Sequence, residues 1–483
     1  MRILVLGSGA REHALCWRLA LDPDVEDVWC APGNAGIGRT VDLEPVQLND
    51  ADAVLALATR LKVDLTVVGP EAPLAAGVAD RFAESRLPLF GPTRSAAQLE
   101  TSKAFAKVFM SRHGVPTARY RVCHSAADAI DVVRRGELGE AVVVKADGLA
   151  AGKGVVVAPD AAAAEDAIRA AMLDRAFGEA GARVVLEECL TGPEVSYFIV
   201  ADGERYQPLV TAQDHKRIFD EDRGPNTGGM GAFAPSPLVD DRLQARIGRD
   251  IVEPVLRGMA SEGTPFRGFL YCGLMLTSAG PKVIEFNVRF GDPEAQVVLP
   301  LIEQPLAPLL FAAASGQLRG QRAGVRDQGS AIGDQGSGTR DQGSGTRDQG
   351  SGTRDQGSGT RDRGSGVSGQ GTGIARIRSA ALRPDCAVGV VLAARGYPGE
   401  VEIGHRIEGL DHLGHEYPDV LAFFAGVKAV GSDLVTAGGR VMTLVARAAS
   451  YEAAIARVYD AASRVWFEGM QYRRDIGRKA LTP

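Results

Sequence analysis

The spacing of apolar positions changes character near residue 100. Before that point, short apolar runs alternate with segments of helical periodicity. They are Ile3–Leu6, Glu12–Leu21, Ala51–Leu61 and Leu65–Gly69. Such an alternation of strands and helices predicts βαβ units that share a parallel sheet. We therefore expect residues 1–101 to form an α/β domain.

Strand-like runs dominate the next two hundred residues. They are Val142–Lys145, Val155–Val157, Val184–Glu188, Val195–Val200 and Lys282–Val288. This pattern of strand-like runs predicts a mixed α+β domain with hairpins. After Cys386, two further strands (Val388–Leu392 and Val441–Val445) and a helix (Tyr451–Val465) predict a third, smaller α+β module.

A repeat separates the last two regions. The unit Asp-Gln-Gly-Ser-Gly-Thr-Arg occurs four times without change from Asp334 to Arg361. It has no apolar residue for a coiled-coil seam, and its two glycines oppose a helix. Each unit is electrically neutral. We therefore predict that residues 319–383 are a disordered, flexible linker without a catalytic part.

Composition narrows the class of protein. The chain has 483 residues, 45% of them hydrophobic and 24% charged, with a net charge of −6. This balance is ordinary for a soluble globular protein and gives no basic excess for binding nucleic acid. Six scattered cysteines fit a reducing cytoplasm. The apolar opening is too short for a signal peptide, and no window of about 18 apolar residues predicts a membrane span.

The first glycine-rich segment, Gly7–His13, follows a strand and opens a helix. Backbone N–H groups at such a position favour a phosphate. A dinucleotide fingerprint would have a third glycine where Glu12 stands, so the nicotinamide hypothesis weakens. Arg11 adds a cation. A small phosphorylated ligand is the favoured interpretation, and a generic βα turn is the alternative.

The second glycine-rich segment, Lys145–Gly154, lies between two valine-rich strands and lacks the spacing of a Walker loop. It predicts a hairpin whose tip closes over a triphosphate while Lys145 supplies fixed charge. A flexible surface loop is the alternative. Lys103 and Lys107 recur at i, i+4 on a helix whose apolar face is predicted to be Phe105, Val108 and Phe109. A bound anion would offset their repulsion, although solvated lysines are common.

The stretch Lys282–Arg289 is the most informative strand. Period-2 geometry predicts that Ile284, Phe286 and Val288 share one face, and that Glu285, Asn287 and Arg289 share the other. Carboxylate and amide oxygens suit Mg²⁺ held together with substrate phosphates. Arg289 would bind a carboxylate or phosphate. A plain solvent-facing strand is the alternative.

Together these segments resemble the glycinamide ribonucleotide synthetase family. The resemblance centres on Arg289–Gln296, and it covers nearly the whole chain except about residues 319–383. It also includes Gly7–His13, Gly69–Leu74, Ser102–Lys107, Lys145–Gly154, Gln213–Arg217, Pro225–Gly231, Gly396–Gly399 and Tyr472–Gly477. The resemblance implies a Rossmann-like N-terminal domain (1–101), an ATP-grasp domain (102–318) and a small C-terminal domain (384–483).

The activity that the resemblance implies is the ATP-dependent joining of glycine to 5-phosphoribosylamine through glycyl phosphate, in purine biosynthesis. The implied catalytic residues are Lys145, Arg289, Lys216 and Asp214. The implied ATP-binding residues are Lys107, Lys145, Gly152, Lys153, Gly154, Glu187, Glu188, Leu190 and Glu194. Those near glycine or the sugar phosphate are Gly9, Arg11, Glu12, Asn34, Asp214, Lys216 and Arg289. Glu285 and Asn287 would hold Mg²⁺ or Mn²⁺.

Four positions depart from the family pattern. Phe424 and Val427 stand where we expect His and Thr, Ala437 stands for Asn, and Thr101 stands for Gly. Alternatives from the sequence are an ATP-grasp ligase for another acid, such as bicarbonate or formate, and a non-catalytic nucleotide sensor. We expect a cytoplasmic monomer that acts on small molecules and carries no later purine-pathway domain.

Overall fold

The computed structural model describes residues 1–149, 154–318, 375–376 and 382–482. The heptapeptide tract that we predicted to be a linker lies outside these residues, and so do Gly152 and Lys153.

The N-terminal region contains a parallel sheet of order β3-β2-β1-β4-β5. Its strands are β1 (Arg2–Gly7), β2 (Asp27–Pro32), β3 (Asp42–Leu43), β4 (Leu65–Val68) and β5 (Leu89–Phe90). Its helices are α1 (Ala10–Ala20), α2 (Ala51–Leu61), α3 (Glu71–Ala76) and α4 (Val78–Glu84). Along β1, Ile3 and Val5 pack in one core cluster with α1, whereas Leu4 and Leu6 pack in another with α2 and α4. The predicted parallel sheet is therefore present, with helices on both faces.

A small lobe follows, built on an antiparallel sheet of order β6-β9-β7-β8. Its elements, with the two helices that lead into it, are α5 (Gln98–Thr101), α6 (Lys103–Arg112), β6 (Tyr120–Cys123), α7 (Ala126–Arg134), β7 (Val142–Ala146), β8 (Val155–Ala158), α8 (Ala161–Met172) and β9 (Val184–Glu188). Val142, Val144 and Ile168 are buried in the core between this sheet and its helices. The sheet thus presents its other face to the rest of the protein.

A larger lobe has the sheet order β17-β16-β10-β11-β18. Its elements are β10 (Glu194–Asp202), β11 (Arg205–Pro208), β12 (Gln213–Asp214), β13 (Arg217–Phe219), β14 (Arg223–Asn226), β15 (Gly231–Ala234), α9 (Asp241–Ile247), α10 (Glu253–Ser261), β16 (Arg267–Thr277), β17 (Gly280–Asn287), α11 (Glu294–Val298), α12 (Leu306–Ala314) and β18 (Ala375–Arg376). The mixed α+β texture predicted for this region is present.

The C-terminal region shares a sheet with the larger lobe. Its elements are β19 (Cys386–Ala393), α13 (Leu410–Glu416), β20 (Leu421–Phe424), β21 (Val427–Val430), β22 (Asp433–Thr436), β23 (Arg440–Ala448) and α14 (Tyr451–Ala462). Strand β15 pairs with β19 from Gly231↔Val390 to Ala234↔Ala387, within a sheet of order β12-β15-β19-β23-β20. The tail therefore completes a sheet that begins in the larger lobe, a contact that the sequence pattern did not predict.

Two observations bear on the class of protein. All six cysteines are free thiols, and five of them are buried. Within the described ranges, no helix has both the length and the apolar character needed to cross a membrane.

Candidate active site

Lys107 is buried where α6 packs on the small lobe. Only 2% of this residue is exposed, whereas Val108, predicted to lie on the apolar face, is 42% exposed. The prediction for Val108 is wrong because an ion pair makes it favourable to bury Lys107, and the helix then turns Val108 toward solvent. Lys107 Nζ lies 2.8 Å from Glu187 Oε2 and donates a hydrogen bond to Thr117 Oγ1 at 2.7 Å.

Lys145 reaches the same carboxylate from β7. Its Nζ lies 2.9 Å from Glu187 Oε1, and it donates a hydrogen bond to the Ile284 carbonyl at 3.0 Å. Lys145 and Glu187 are 4% and 3% exposed. The structure thus joins two predicted ATP-binding lysines through one carboxylate, beside the predicted metal-binding strand.

Strand β17 has an irregularity at Ile284. The pairing of β17 with β16 shifts register between Val283 and Glu285. As a result Val283 and Phe286 are buried in the core, whereas Ile284 is only partly buried. The predicted apolar face is wrong at Ile284 because a bulge interrupts the period of two. Beyond the bulge, Glu285 and Asn287 are two residues apart and share a face as predicted.

The base of the second glycine-rich segment is firmly held. Asp147 accepts hydrogen bonds from Ser102 Oγ and from the Ala104 N–H, both at 3.0 Å. Lys103 Nζ donates to the Gly148 carbonyl at 2.8 Å. These contacts tie the start of the segment to α6.

Strands β7 and β8 form the hairpin that the sequence predicted. They are antiparallel, and the Ala146 N–H donates to the Gly154 carbonyl at 2.8 Å. The predicted ATP-binding residues Gly152 and Lys153 belong to the tip, which is outside the described residues.

Glu285 is held as an anion. Burial alone would raise its pKa, but Lys216 and Lys145 hold the pKa below its usual value. An ionised carboxylate and the Asn287 amide are hard oxygen donors that suit a divalent cation shared with phosphates. Among the described residues, no group of three His, Cys, Asp or Glu side chains could hold a metal. A carboxylate and an amide supply two oxygen ligands, a number that fits a cation also bound by substrate phosphates.

The predicted nucleoside-binding residues line the end of β9. Glu188 accepts hydrogen bonds from the Arg119 N–H at 3.0 Å and Nε at 2.7 Å, and from Lys282 Nζ at 3.1 Å. Burial opposes ionisation of Glu188, but these donors lower its pKa to about 2. Leu190 lies two residues further along the chain and is partly buried. This segment connects the small lobe to β10.

Asp214 and Lys216 are predicted glycine-binding residues near the start of the shared sheet. Lys216 Nζ donates a hydrogen bond to Glu194 Oε2 at 2.6 Å. This bond joins a residue predicted to bind glycine to a residue predicted to bind the nucleoside. Burial raises the pKa of Asp214 to about 7, although the charge on Lys216 favours its ionised form.

Arg289 anchors three parts of the protein. Its Nε donates to Glu71 Oε2 at 3.2 Å, its Nη1 donates to the Phe290 carbonyl at 3.1 Å, and its Nη2 lies 2.9 Å from Glu100 Oε1. Burial raises the pKa of Glu100, whereas the charge on Arg289 opposes that shift. Within the described part of the chain, three of the five N–H donors of Arg289 have partners, which leaves two for a ligand.

The first glycine-rich segment is filled by one of its own side chains. Glu12 Oε2 accepts a hydrogen bond from the Gly9 N–H at 2.6 Å, at the N-terminus of α1. A Cβ at Gly7 or Gly69 would lie 2.4 or 2.1 Å from this side chain. The glycines therefore make room for the Glu12 carboxylate, which occupies the position where the sequence predicted a ligand phosphate.

Arg11 and Asn34 surround the same turn. Arg11 Nε donates to Glu12 Oε1 at 2.6 Å, and its Nη1 donates to the Phe290 carbonyl at 3.2 Å. Asn34 Nδ2 donates to the carbonyls of Ser8 and Phe424 at 2.8 and 3.0 Å. These predicted sugar-phosphate residues thus hold protein elements together around the turn.

Phe424, one of the four departures from the family pattern, packs on His13. The two rings stack with centroids 5.7 Å apart, and the Phe424 N–H donates to His13 Nδ1 at 2.9 Å. Burial lowers the pKa of His13 to about 4. His13 is therefore neutral and joins the N-terminal sheet to the C-terminal region.

Sequence reasoning missed Arg440. Its Nη1 donates to the carbonyls of Gly228 and Asp292 at 2.6 and 2.8 Å, and its Nη2 donates to Asp292 Oδ2 at 2.8 Å. Gly9 also lies close to Asp292, because a Cβ at Gly9 would be 3.7 Å from Asp292 Oδ2. No local pattern marks Arg440, since its partners are far away in the chain.

A second missed group lies beside Asp214. Ser196 Oγ lies 3.0 Å from Tyr271 Oη and donates to Glu294 Oε1 at 3.2 Å. Glu294 falls within the segment that carried the family resemblance, but no sequence pattern assigned it a role. The site thus has a buried carboxylate near the partly buried Asp214 and Glu285.

Family models match three consecutive parts of the chain. The N domain of phosphoribosylglycinamide synthetase matches residues 1–100, its ATP-grasp (A) domain matches residues 101–295, and its C domain matches residues 387–479.

Curated relatives match the full length. The chain is 43% identical to a phosphoribosylamine–glycine ligase of Vibrio parahaemolyticus, over 100% of this chain and 99% of that protein. It is 44% identical to a protein of the same name from Streptomyces coelicolor, over 99% of each.

Solved structures agree with the fold. A crystal structure of phosphoribosylamine–glycine ligase from Thermotoga maritima aligns with a TM-score of 0.75 and 29% identity, covering 98% of this chain and 100% of that chain. The biotin carboxylase domain of Hydrogenobacter thermophilus 2-oxoglutarate carboxylase, in a complex with MgADP and bicarbonate, aligns with a TM-score of 0.63. It covers 97% of this chain and 91% of that chain at 16% identity, a level that supports the ATP-grasp fold alone.

Proposed function

Because the chain belongs to the phosphoribosylglycinamide synthetase family, we propose that it ligates glycine to 5-phosphoribosylamine at the expense of ATP. The products are glycinamide ribonucleotide, ADP and phosphate, in purine biosynthesis. The observation that carries the proposal is the hydrogen bond from Lys145 Nζ to the Ile284 carbonyl. This hydrogen bond places the Lys145 ammonium group, which would bind nucleotide phosphates, beside the strand with Glu285 and Asn287. The nucleotide phosphates and the metal ion would therefore bind next to each other.

The nucleotide would lie between the two lobes. Lys107 and Lys145 would contact its phosphates, and the segment with Gly152, Lys153 and Gly154 would cover them. A set of residues around the end of β9, assigned by resemblance to the nucleoside, is Glu187, Glu188, Leu190 and Glu194. Because Glu194 also holds Lys216, the ribose and glycine pockets would adjoin.

Glu285 and Asn287 would hold a divalent cation, which we propose to be Mg²⁺ or Mn²⁺. When bound, this cation would offset the charge that develops on the transferred phosphoryl group. The nearby lysines keep Glu285 ionised and thus ready to act as a ligand.

In the reaction, a glycine carboxylate oxygen would attack the γ-phosphorus of ATP, giving glycyl phosphate and ADP. The amine of phosphoribosylamine would then attack the acyl carbon, with loss of a proton and departure of phosphate. Arg289 has two free donors for the glycine carboxylate, and Asp214 and Lys216 would position the reacting groups. Positioning of this kind contributes about 7–11 kcal/mol when reactants are well oriented.

Phosphoribosylamine would bind where the N-terminal turn meets Asp292 and Arg440. We keep Gly9, Arg11, Glu12 and Asn34 as the walls of this pocket. Glu12, Asn34 and Arg11 all use side-chain atoms on backbone groups, so that they would shape the pocket.

We further propose a Rossmann-like domain over residues 1–101, supported by the parallel strand order β3-β2-β1-β4-β5. The boundaries 102–318 and 384–483 for the other two domains stay predictions. We also propose a cytoplasmic monomer without nucleic acid partners. The net charge of −6 supports the lack of nucleic acid partners, and the six free cysteines support the cytoplasm.

A coupled assay of ADP release tests the function. We expect release to require both glycine and freshly made phosphoribosylamine. Release with bicarbonate or formate in place of glycine would indicate a ligase for another acid, and nucleotide binding without release would indicate a sensor.

A further inference from the structure

The β13–β14 hairpin, which begins directly after Lys216, is held by a segment close to the end of the chain. We propose that Arg473 is a positioning residue of the glycine site: it fixes this hairpin and thereby the place of the Lys216 ammonium group. The Arg473 side chain is completely buried, so that it acts through the hairpin and not on a substrate. This inference rests on the glycine-binding role proposed for Lys216.

Arg473 bonds both to its own segment and to the hairpin. Within its segment, Nε and Nη2 donate to Asp475 Oδ1 and Oδ2 at 2.7 and 2.6 Å. Toward the hairpin, Nη1 donates to Asp222 Oδ1 at 2.8 Å and to the Arg217 carbonyl at 3.1 Å. The bidentate pair with Asp475 fixes the orientation of the guanidinium group as well as its distance. Arg473 therefore determines the position of Arg217, the residue that follows Lys216.

The turn of the hairpin depends on the same segment. Glu221 and Asp222 have φ angles of 60° and 52°, in the left-handed region that non-glycine residues rarely adopt. The Glu221 N–H donates to Asp475 Oδ2 at 2.9 Å. The Arg474 N–H donates to Asp220 Oδ1 at 2.7 Å. A turn of this kind persists only where its surroundings determine its shape, and here the C-terminal segment supplies them.

The hairpin connects these contacts to the glycine site. Arg217 on β13 pairs with Asn226 on β14. The Lys216 carbonyl accepts hydrogen bonds from the Thr227 N–H at 2.7 Å and from Thr227 Oγ1 at 2.8 Å. Because the two strands are bonded to each other next to Lys216, a displacement of the hairpin would move the Lys216 backbone and its ammonium group.

The far end of the hairpin is held by other side chains. The Gly228 N–H donates to Tyr397 Oη at 2.8 Å, and the Gly228 carbonyl accepts a hydrogen bond from Arg440 Nη1 at 2.6 Å. These contacts do not involve Arg473. Removal of Arg473 should therefore release the start and the turn of the hairpin while Gly228 stays in place. We expect a local defect that affects glycine more than ATP.

Steady-state kinetics of ADP release compare Arg473→Met with wild type. Methionine fills a similar space but makes none of the four hydrogen bonds. We expect the KM for glycine to rise about tenfold, because a misplaced binding group is costly, while the KM for ATP changes by less than about threefold. Arg457→Met is the matched control, because Arg457 Nε donates to Asp419 Oδ2 at 3.0 Å within the C-terminal region. The control should match wild type for both substrates.

Amide hydrogen exchange locates the defect without any measurement of activity. In Arg473→Met, the amides of residues 217–226 should exchange faster than in wild type, because the hairpin opens locally. The amides of β7 and β9 should exchange as in wild type. The Arg457→Met control should show wild-type exchange in both regions.

Three results would overturn the inference. Equal rises in the KM for glycine and for ATP would show that Arg473 supports the fold in general. An unchanged KM for glycine together with faster exchange would show that the hairpin does not position Lys216. Unchanged exchange in residues 217–226 would show that Arg473 does not hold the hairpin.

Two further outcomes are distinguishable from these. If Arg473→Met does not fold, Arg473→Lys keeps the charge but loses the planar fork, and it should show a smaller rise in the KM for glycine with the same exchange pattern. A wild-type KM and wild-type exchange in that variant would also contradict the inference. Failure of wild type to release ADP with glycine would overturn the proposed function, and the positioning of glycine with it.

Discussion

The two glycine-rich segments of the chain have similar compositions, but different charged side chains lie against them. In the Gly7–His13 turn, the Glu12 carboxylate folds back onto the Gly9 N–H and fills the space beside Gly7 and Gly69. At the Lys145–Gly154 segment, the carboxylate comes from another strand: Glu187 on β9 pairs with Lys145 and with Lys107 of α6. The first arrangement is closed by its own chain, whereas the second is ready for an external anion.

This difference shows that glycine content does not define an anion site. Glycines allow close approach, but the group that approaches is decided by the side chains nearby. A carboxylate at the third helical position satisfies the helix N-terminus as well as a phosphate would. The four predictions below test the contrast, in order of decreasing effect.

The largest effect is expected at the metal-binding strand. Glu285→Ala should lower glycine-dependent ADP formation by more than about a hundredfold, because it removes the charged ligand of the cation that stabilises phosphoryl transfer. The assay is coupled ADP release at saturating Mg²⁺, with Glu165→Ala as a control on the surface of the small lobe. Near-normal turnover would remove Glu285 from the metal site.

Adding a methyl group beside the first glycine-rich turn should lower the stability of the fold. Gly69→Ala would place a Cβ 2.1 Å from Glu12 Oε1, and we expect a loss of about 1–3 kcal/mol in the free energy of unfolding. Gly414→Ala on α13 is the matched control, because nothing lies within 4 Å of its Cβ. Chemical denaturation measures both. Equal stability of the two variants would contradict the filled-turn interpretation.

His13 at the end of the first turn should make the fold sensitive to acid. Its pKa is lowered to about 4, so that the unfolded chain binds a proton below pH 6.5 while the folded chain does not. The stability from neutral His13 is complete above pH 6.5 and is lost as the pH falls toward 4. As the pH falls from 6.5 to 5, the free energy of unfolding of wild type should decrease by about 2 kcal/mol more than that of His13→Gln. Urea unfolding measures both. Parallel pH profiles would contradict this role.

The smallest effect is the pH dependence of nucleotide binding in wild type. Lys107 has a pKa of about 8, and a phosphate favours its charged form. MgADP binding should therefore weaken as the pH rises above 8, by at most about tenfold per unit. Calorimetric titration from pH 7 to 9 measures it. A level profile across this range would show that Lys107 stays charged without a ligand.

Much of the fold follows from local pattern. The parallel sheet of the first hundred residues, the β7–β8 hairpin and helix α14 all lie close to their predicted positions. The predictions of buried faces are wrong where a residue far away in the chain changes which side chain is buried. Val108 is exposed because Glu187 makes burial of Lys107 favourable, and Ile284 leaves the apolar face because β17 bulges against β16. The shared sheet of β15 and β19 joins strands more than 150 residues apart, a pairing that no local period encodes.

By itself, the sequence determined which residues can carry the chemistry: two lysines near a non-Walker glycine segment, and a carboxylate and an amide two residues apart on one strand. Only the tertiary structure decided which anion each cation meets. Glu12 closes the first turn, and Glu187 joins Lys107 to Lys145. The physical reason is that charge pairing depends on distance in space and on burial, whereas the sequence fixes only the spacing along the chain.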